Sequence, residues 1–167
     1  NSFIDTIAKQ NKSIKDTNKW HQVAVVKFSG DMTEKVGNDT YRAGGNTYNY
    51  SQIMQKLTAC SGNGAKSLKE TINAIAPAGS TRADYGLQLA EDIPSGRADA
   101  KKVVVFFTDG SPTSSSGFEN EVANDAINSA KKIKDKGADI YTIGIFSGVN
   151  PSANPTADGT SKENKFM

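Results

Sequence analysis

The spacing of hydrophobic positions changes along the chain, and each change marks an element. Over residues 2–16, Phe3, Ile4, Ile7, Ala8 and Ile14 recur near helical spacing among Lys and Gln, which predicts an amphipathic helix. Asp16-Thr17-Asn18 breaks it. Residues 23–28 (VAVVKF) are short, β-branched and nearly all apolar, predicting a strand buried on both faces, as in a parallel sheet under helices. Residues 29–49 are rich in Gly, Asn, Asp and Thr. Turn chemistry at Gly37-Asn38-Asp39 and Gly44-Gly45-Asn46 predicts a twisted edge strand or hairpin near residues 40–50. Residues 50–57 read as a short helix and 61–65 as a loop. Residues 67–75 read as another helical piece, with Leu68, Ile72 and Ile75 on one face, ended by Pro77-Ala78-Gly79-Ser80.

The second half alternates in the same way. Residues 81–93 are amphipathic through Leu87, Leu89, Ala90 and Ile93. VVVFF at 103–107 is the strongest strand signal in the chain. Residues 118–136 read as a helix with Val122, Ala126, Ile127, Ala130 and Ile133 as its buried stripe, and Gly137 suits its C-cap. DIYTIGIF at 139–146 is a further buried strand. Residues 147–165 lack periodicity and read as a loop, with a last turn at 163–167. Strands alternating with helices predict one α/β domain over residues 1–167, with a mostly parallel central sheet flanked by helices.

Composition removes several function classes. At 36% hydrophobic and 23% charged residues the chain is an ordinary globular sequence. No apolar run reaches the length of a membrane span. A net charge of +2 with scattered basic residues does not suit nucleic acid. The chain opens in mid-pattern, so it is expected to be a segment of a longer protein, with any targeting signal outside it. Cys60 is alone and cannot form an internal disulfide. His21, the one histidine, has no nucleophile in an obvious relation to it, and a structural role is expected. There is no phosphate-binding GxxxxGK[ST], no GxGxxG, no HExxH and no nucleophile elbow.

In an open parallel sheet, ligands sit beyond the carboxyl ends of the strands. Asp109 directly follows the strongest strand, in FFTDGSPT, and Thr81 stands at a loop-to-helix junction, in GSTRADYGL. Taken singly, Asp109-Gly110 is a turn and Thr81 an N-cap. Together, and in order with VAVVKFS at 23–29 and DIYTIGIF at 139–146, they resemble the von Willebrand factor type A domain over nearly the whole chain. TRADYGLQLA and IGIFSGVNPSANP are further similar to the domains of Gram-positive cell-surface and pilus-tip adhesins, which cysteine poverty also suits.

The resemblance implies a metal-ion-dependent adhesion site, in which hydroxyl and carboxylate oxygens from three loops hold a divalent cation, usually magnesium. An open coordination position takes a carboxylate from a protein ligand, so the site binds rather than catalyses. Thr81 matches the second-loop hydroxyl ligand and Asp109 the third-loop carboxylate. The first loop should carry DxSxS, and no such motif precedes the first predicted helix; Asp5-Thr6-Ile7 and Asp31-Met32-Thr33 do not fit. One Asp and two Ser are thereby missing. The resemblance thus implies an α/β fold lacking the family's first central strand, with magnesium bound by the intact parent rather than by this segment. It also implies an extracellular, cell-wall location and a host or matrix protein as partner, with no enzymatic activity. The strands at 23–28 and 103–107 would flank the missing one. They are expected to pair directly, or to take a strand from another copy and so self-associate through exposed edges. Two alternatives stand beside this reading. One is a phosphoryl-transfer or other metal-dependent enzyme with Asp109 at the strand end, although Ser111 occupies the place of its second carboxylate. The other is an intracellular type A domain of a chelatase or assembly factor.

Overall fold

The computed structural model describes residues 1–145, 150, 152–154, 156 and 159–166. Phe146, parts of the 147–165 loop and Met167 lie outside the described residues. Helix α1 (Ser2–Asn11) leads into strand β1 (Gln22–Lys27). A hairpin follows, β2 (Thr40–Ala43) and β3 (Asn46–Asn49), and then strand β4 (Gln52–Ala59). Next come α2 (Gly62–Asn73), α3 (Ala83–Asp92), β5 (Val103–Thr108), α4 (Asn120–Asp135), β6 (Asp139–Gly144) and the short α5 (Lys162–Phe166).

Helix α1 stops earlier than its pattern predicts because Asn11 is recruited elsewhere. Its fully buried side chain accepts from His21 N at 2.8 Å and donates to His21 O and Cys60 O at 3.0 and 2.9 Å. The hairpin at 40–50 forms as expected. Gly44 and Gly45 both adopt positive φ (55° and 80°), the pair of angles a two-residue turn needs to match the strand twist.

Residues 50–57 are not a helix; from Gln52 on they belong to β4. Ile53, Met54 and Leu57 satisfy helical spacing locally, yet β1 offers a hydrogen-bonding edge, and pairing overrides the local pattern. The two strands run antiparallel from Gln22↔Ala59 to Lys27↔Gln52. Residues 61–65, expected as a loop, are largely the first turn of α2; Ala65 and Leu68 turn down onto Ile4 and Cys60, and this contact holds the turn. In α4, Ile127 is exposed although its spacing placed it in the stripe, while Ala123 and Ser129 are buried.

The sheet departs most from expectation. β1 pairs with β4, β2 with β3, and β5 with β6 in parallel from Val103↔Asp139 to Thr108↔Gly144. Among the described residues these are three separate two-stranded sheets, and only one is parallel, so the mostly parallel central sheet is not found. Nor do β1 and β5 pair directly. Their contact is made by side chains: Phe28 stacks on Phe106 with ring centroids 5.1 Å apart. Phe28 also fills the space beside Gly86 of α3, where a Cβ would come within 2.8 Å of the ring.

Two cores result. Ile4, Cys60, Ala65 and Leu68 join α1 and α2 to β1, with Val23 and Val25 packed against them. Ala83, Leu87, Phe106, Ala126, Ile133 and Ala138 join α3 and α4 to β5 and β6. Strands β5 and β6 are covered on that face only. Val103, Val105 and Phe107 are exposed on the other, with Tyr141, Ile143 and Ile145 beside them, so burial on both faces is not found for these strands. At the far end of α3 the Lys102 Nζ donates to the carbonyls of Ala90, Glu91 and Ile93 at 2.6, 3.1 and 2.6 Å, ending the helix without a glycine.

Candidate functional site at the carboxyl ends of β1 and β5

The residues following β1 and β5 converge on the loop that enters α3. Ser29 O, two residues past β1, accepts from Arg82 N at 3.0 Å. Thr81 O accepts from Thr113 N at 3.0 Å, tying the same loop to the turn after β5. Gly110 lies against Thr81 so closely that a Cβ there would stand 2.7 Å from Thr81 Oγ1. A side chain beside Asp109 would therefore displace the Thr81 hydroxyl. The structure brings together the neighbourhoods of Thr81 and Asp109, the two residues singled out in the sequence; Thr81 is half-buried and Asp109 exposed.

Hydroxyl groups are dense here but mostly engaged. Thr108 Oγ1 donates to Gly110 O at 2.9 Å and accepts from Gly110 N at 3.3 Å, setting the turn that presents Asp109. Ser80 Oγ donates to Ser114 O at 2.7 Å. Glu119, at the start of α4, accepts from Thr113 Oγ1, Ser114 Oγ and Ser115 Oγ and from the amides of Ser114 and Ser115, at 2.7–3.2 Å. Hydrogen bonds from Ser114 and then Thr113 pull its carboxyl from an ordinary 4.5 down to about 2.

Beneath Thr81, Arg82 makes a bidentate pair with Asp84, at 2.9 and 2.6 Å, and its guanidinium stacks on the Tyr85 ring 3.6 Å away. The Asp84 side chain is only 2% exposed. The hydrogen bond to Asp84 pushes the Arg82 pKa up. Sequence reading did not assign the Arg82–Asp84 pair, the Ser80 bridge or the Glu119 clasp. The pair has a local signal, opposite charges two residues apart in TRAD. The Ser80 bridge spans 34 residues and shows only in three dimensions.

The family model for the von Willebrand factor type A domain matches residues 1–166. The chain belongs to that family. No curated protein sequence matches it. Type A domains are in general protein-interaction and adhesion modules with a metal-dependent site, and most are not enzymes. Their α/β fold is present here in its helices and in the parallel β5–β6 pair, but with small sheets.

Among the described residues, Thr81 and Asp109 fall short of the donor set that magnesium takes. Magnesium takes six oxygens in near-ideal octahedral geometry and surrenders water reluctantly. Thr81 and Asp109 supply one hydroxyl and one carboxylate, and the hydroxyls of Ser80, Thr108 and Thr113 donate their protons within the loops. Among the described residues no group of three or more His, Cys, Asp or Glu side chains could hold a metal. What the arrangement does offer is a rigid platform: one exposed carboxylate and one hydroxyl, held by hydrogen bonds within and between the 79–84 and 108–119 loops.

Proposed function

We propose that this type A domain is the adhesive, protein-binding module of a Gram-positive cell-surface or pilus protein, and that the partner docks on the face carrying Thr81 and Asp109. The observation that carries the reading is the convergence of the α3-entry loop and the post-β5 turn, with Gly110 pressed against Thr81. Thr81 and Asp109 then act as two ligands of a metal-ion-dependent adhesion site. Its other donors, an Asp and two Ser, lie outside these 167 residues, on a first strand and loop that belong between β1 and β5. Two features support this: among the described residues β1 and β5 each pair on one side only, and Phe28 and Phe106 make contact between them by stacked rings. The partner presents a carboxylate to the completed site, on a host or matrix protein, and the location is the bacterial cell wall. The fragments TRADYGLQLA and IGIFSGVNPSANP and the single cysteine are the support for that context.

Calorimetric titration tests the reading. Magnesium added to the 167-residue chain is expected to give no saturable heat in the millimolar range. A longer chain bearing a DxSxS loop ahead of Asn1 is expected to bind, and to lose binding on Thr81→Ala or Asp109→Ala. Saturable binding by the 167 residues that disappears with either substitution overturns the divided site. Binding by the longer chain that survives both substitutions removes these residues from it.

A further inference from the structure

Six of the ten large hydrophobic side chains exposed among the described residues lie on the outer face of β5–β6. In a parallel pair, registered partners share a face, so Val105↔Tyr141 and Phe107↔Ile143 set two rows of one patch. Val103 extends it at one end and Ile145 at the other. The six side chains are 40–66% exposed. Their alternates, Val104, Phe106 and Ile140, point the other way into the α3–α4 core. The outward positions are therefore as apolar as the inward ones, whereas a solvated face would carry polar residues at alternate positions.

We propose that this face is an interface with a second copy of the same chain, packed sheet against sheet across a twofold axis. Two observations select a second copy. The first is area: six such side chains expose on the order of 500 Å² per face, and two faces together on the order of 1,000 Å², the lower bound of a specific interface. The second is charge. The rows from Val105 to Ile145 hold no ionisable carboxylate or amine; Lys101 and Asp139 at one end are paired with each other at 2.7 Å, and the exposed Asp109 follows Phe107 at the other. With the strands of the two copies running in opposite directions, each Asp109 comes to the other copy's Lys101 end, so the face meets its own image without like-charge conflict, as a twofold contact requires. A net charge of +2 adds little long-range repulsion. Two such faces stack about 10 Å apart with strands crossing near −30°. The contact is made by faces rather than by strand edges, and it is independent of the adhesive reading.

Sedimentation equilibrium of the 167-residue chain, from micromolar to several hundred micromolar, tests it. The expected result is a monomer–dimer equilibrium that changes little between low and high salt. Val105→Lys and Tyr141→Lys, both on exposed side chains, are expected to weaken it at least tenfold while leaving the melting temperature unchanged. Mixing Y141K with Y141E is expected to restore part of the association, a rescue that general misfolding does not produce. A strict monomer at the highest concentration overturns the proposal. Association indifferent to both lysines also overturns it and points to the free strand edges. So does a monomer that co-sediments with phosphatidylcholine vesicles, which makes a lipid surface the occupant.

Discussion

Asp84 shows how a single side chain can hold a site it does not present. It is almost wholly enclosed, it anchors Arg82, and Arg82 N in turn fixes the loop to Ser29 O. Removing one partner of a buried ion pair leaves the other charge stranded, and here the guanidinium is about one-fifth exposed, which softens the loss. Asp84→Asn keeps the volume and removes the charge, and is expected to cost about 2–3 kcal/mol in urea denaturation. Tyr85→Ala removes only the stacked ring and is expected to cost about 1 kcal/mol through the lost cation–π contact. An Asp84→Asn loss no larger than that of Tyr85→Ala assigns the loop's rigidity to the stack instead.

Among the elements, the 113–119 turn between β5 and α4 is organised by one carboxylate accepting five hydrogen bonds. Because the folded Glu119 pKa is depressed, its contribution is fully present above the ordinary 4.5 and is lost as pH falls towards about 2. The stability difference between wild type and Glu119→Gln is therefore expected to be constant from pH 7 to about 5 and to shrink below it, measured by paired denaturation curves. A difference that widens on acidification contradicts the clasp. Elements were legible in the sequence where their hydrophobic period was long and their caps were local. α4 with Gly137, α3 with its Leu pair and the VVVFF strand all appear close to where they were read. β4 was misread because Ile53, Met54 and Leu57 suit both periods, and only the edge of β1 chooses between them. At the site, the junctions that place Thr81 and Asp109 were legible, whereas Ser80 bonds a distant carbonyl and Glu119 the hydroxyls and amides of other residues, and neither carries a pattern of its own.

At the scale of the molecule, helix α3 belongs to one of the two small cores and touches the end of a strand from the other. α3 packs into the β5–β6 core through Ala83 and Leu87 and meets β1 through Gly86 and Phe28. Half-burying a phenylalanine at this junction is worth about 2 kcal/mol. Phe28→Ala is expected to split the thermal transition in two, with β1–β4 amides and β5–β6 amides exchanging at separate free energies. One coincident transition by circular dichroism and by hydrogen exchange argues that the halves remain a single cooperative unit. The consequence reaches into mechanics. A sheet whose strands are continuously laddered resists tension by shearing many hydrogen bonds at once. Here a pull on the two ends of the chain passes from β1 to β5 through stacked rings, the flank of one helix and the Arg82–Ser29 hydrogen bond. Such a junction is the weakest point in the load path: under force the two halves part before either one unravels, and the loops carrying Thr81 and Asp109, bonded to each other, stay with the β5–β6 half.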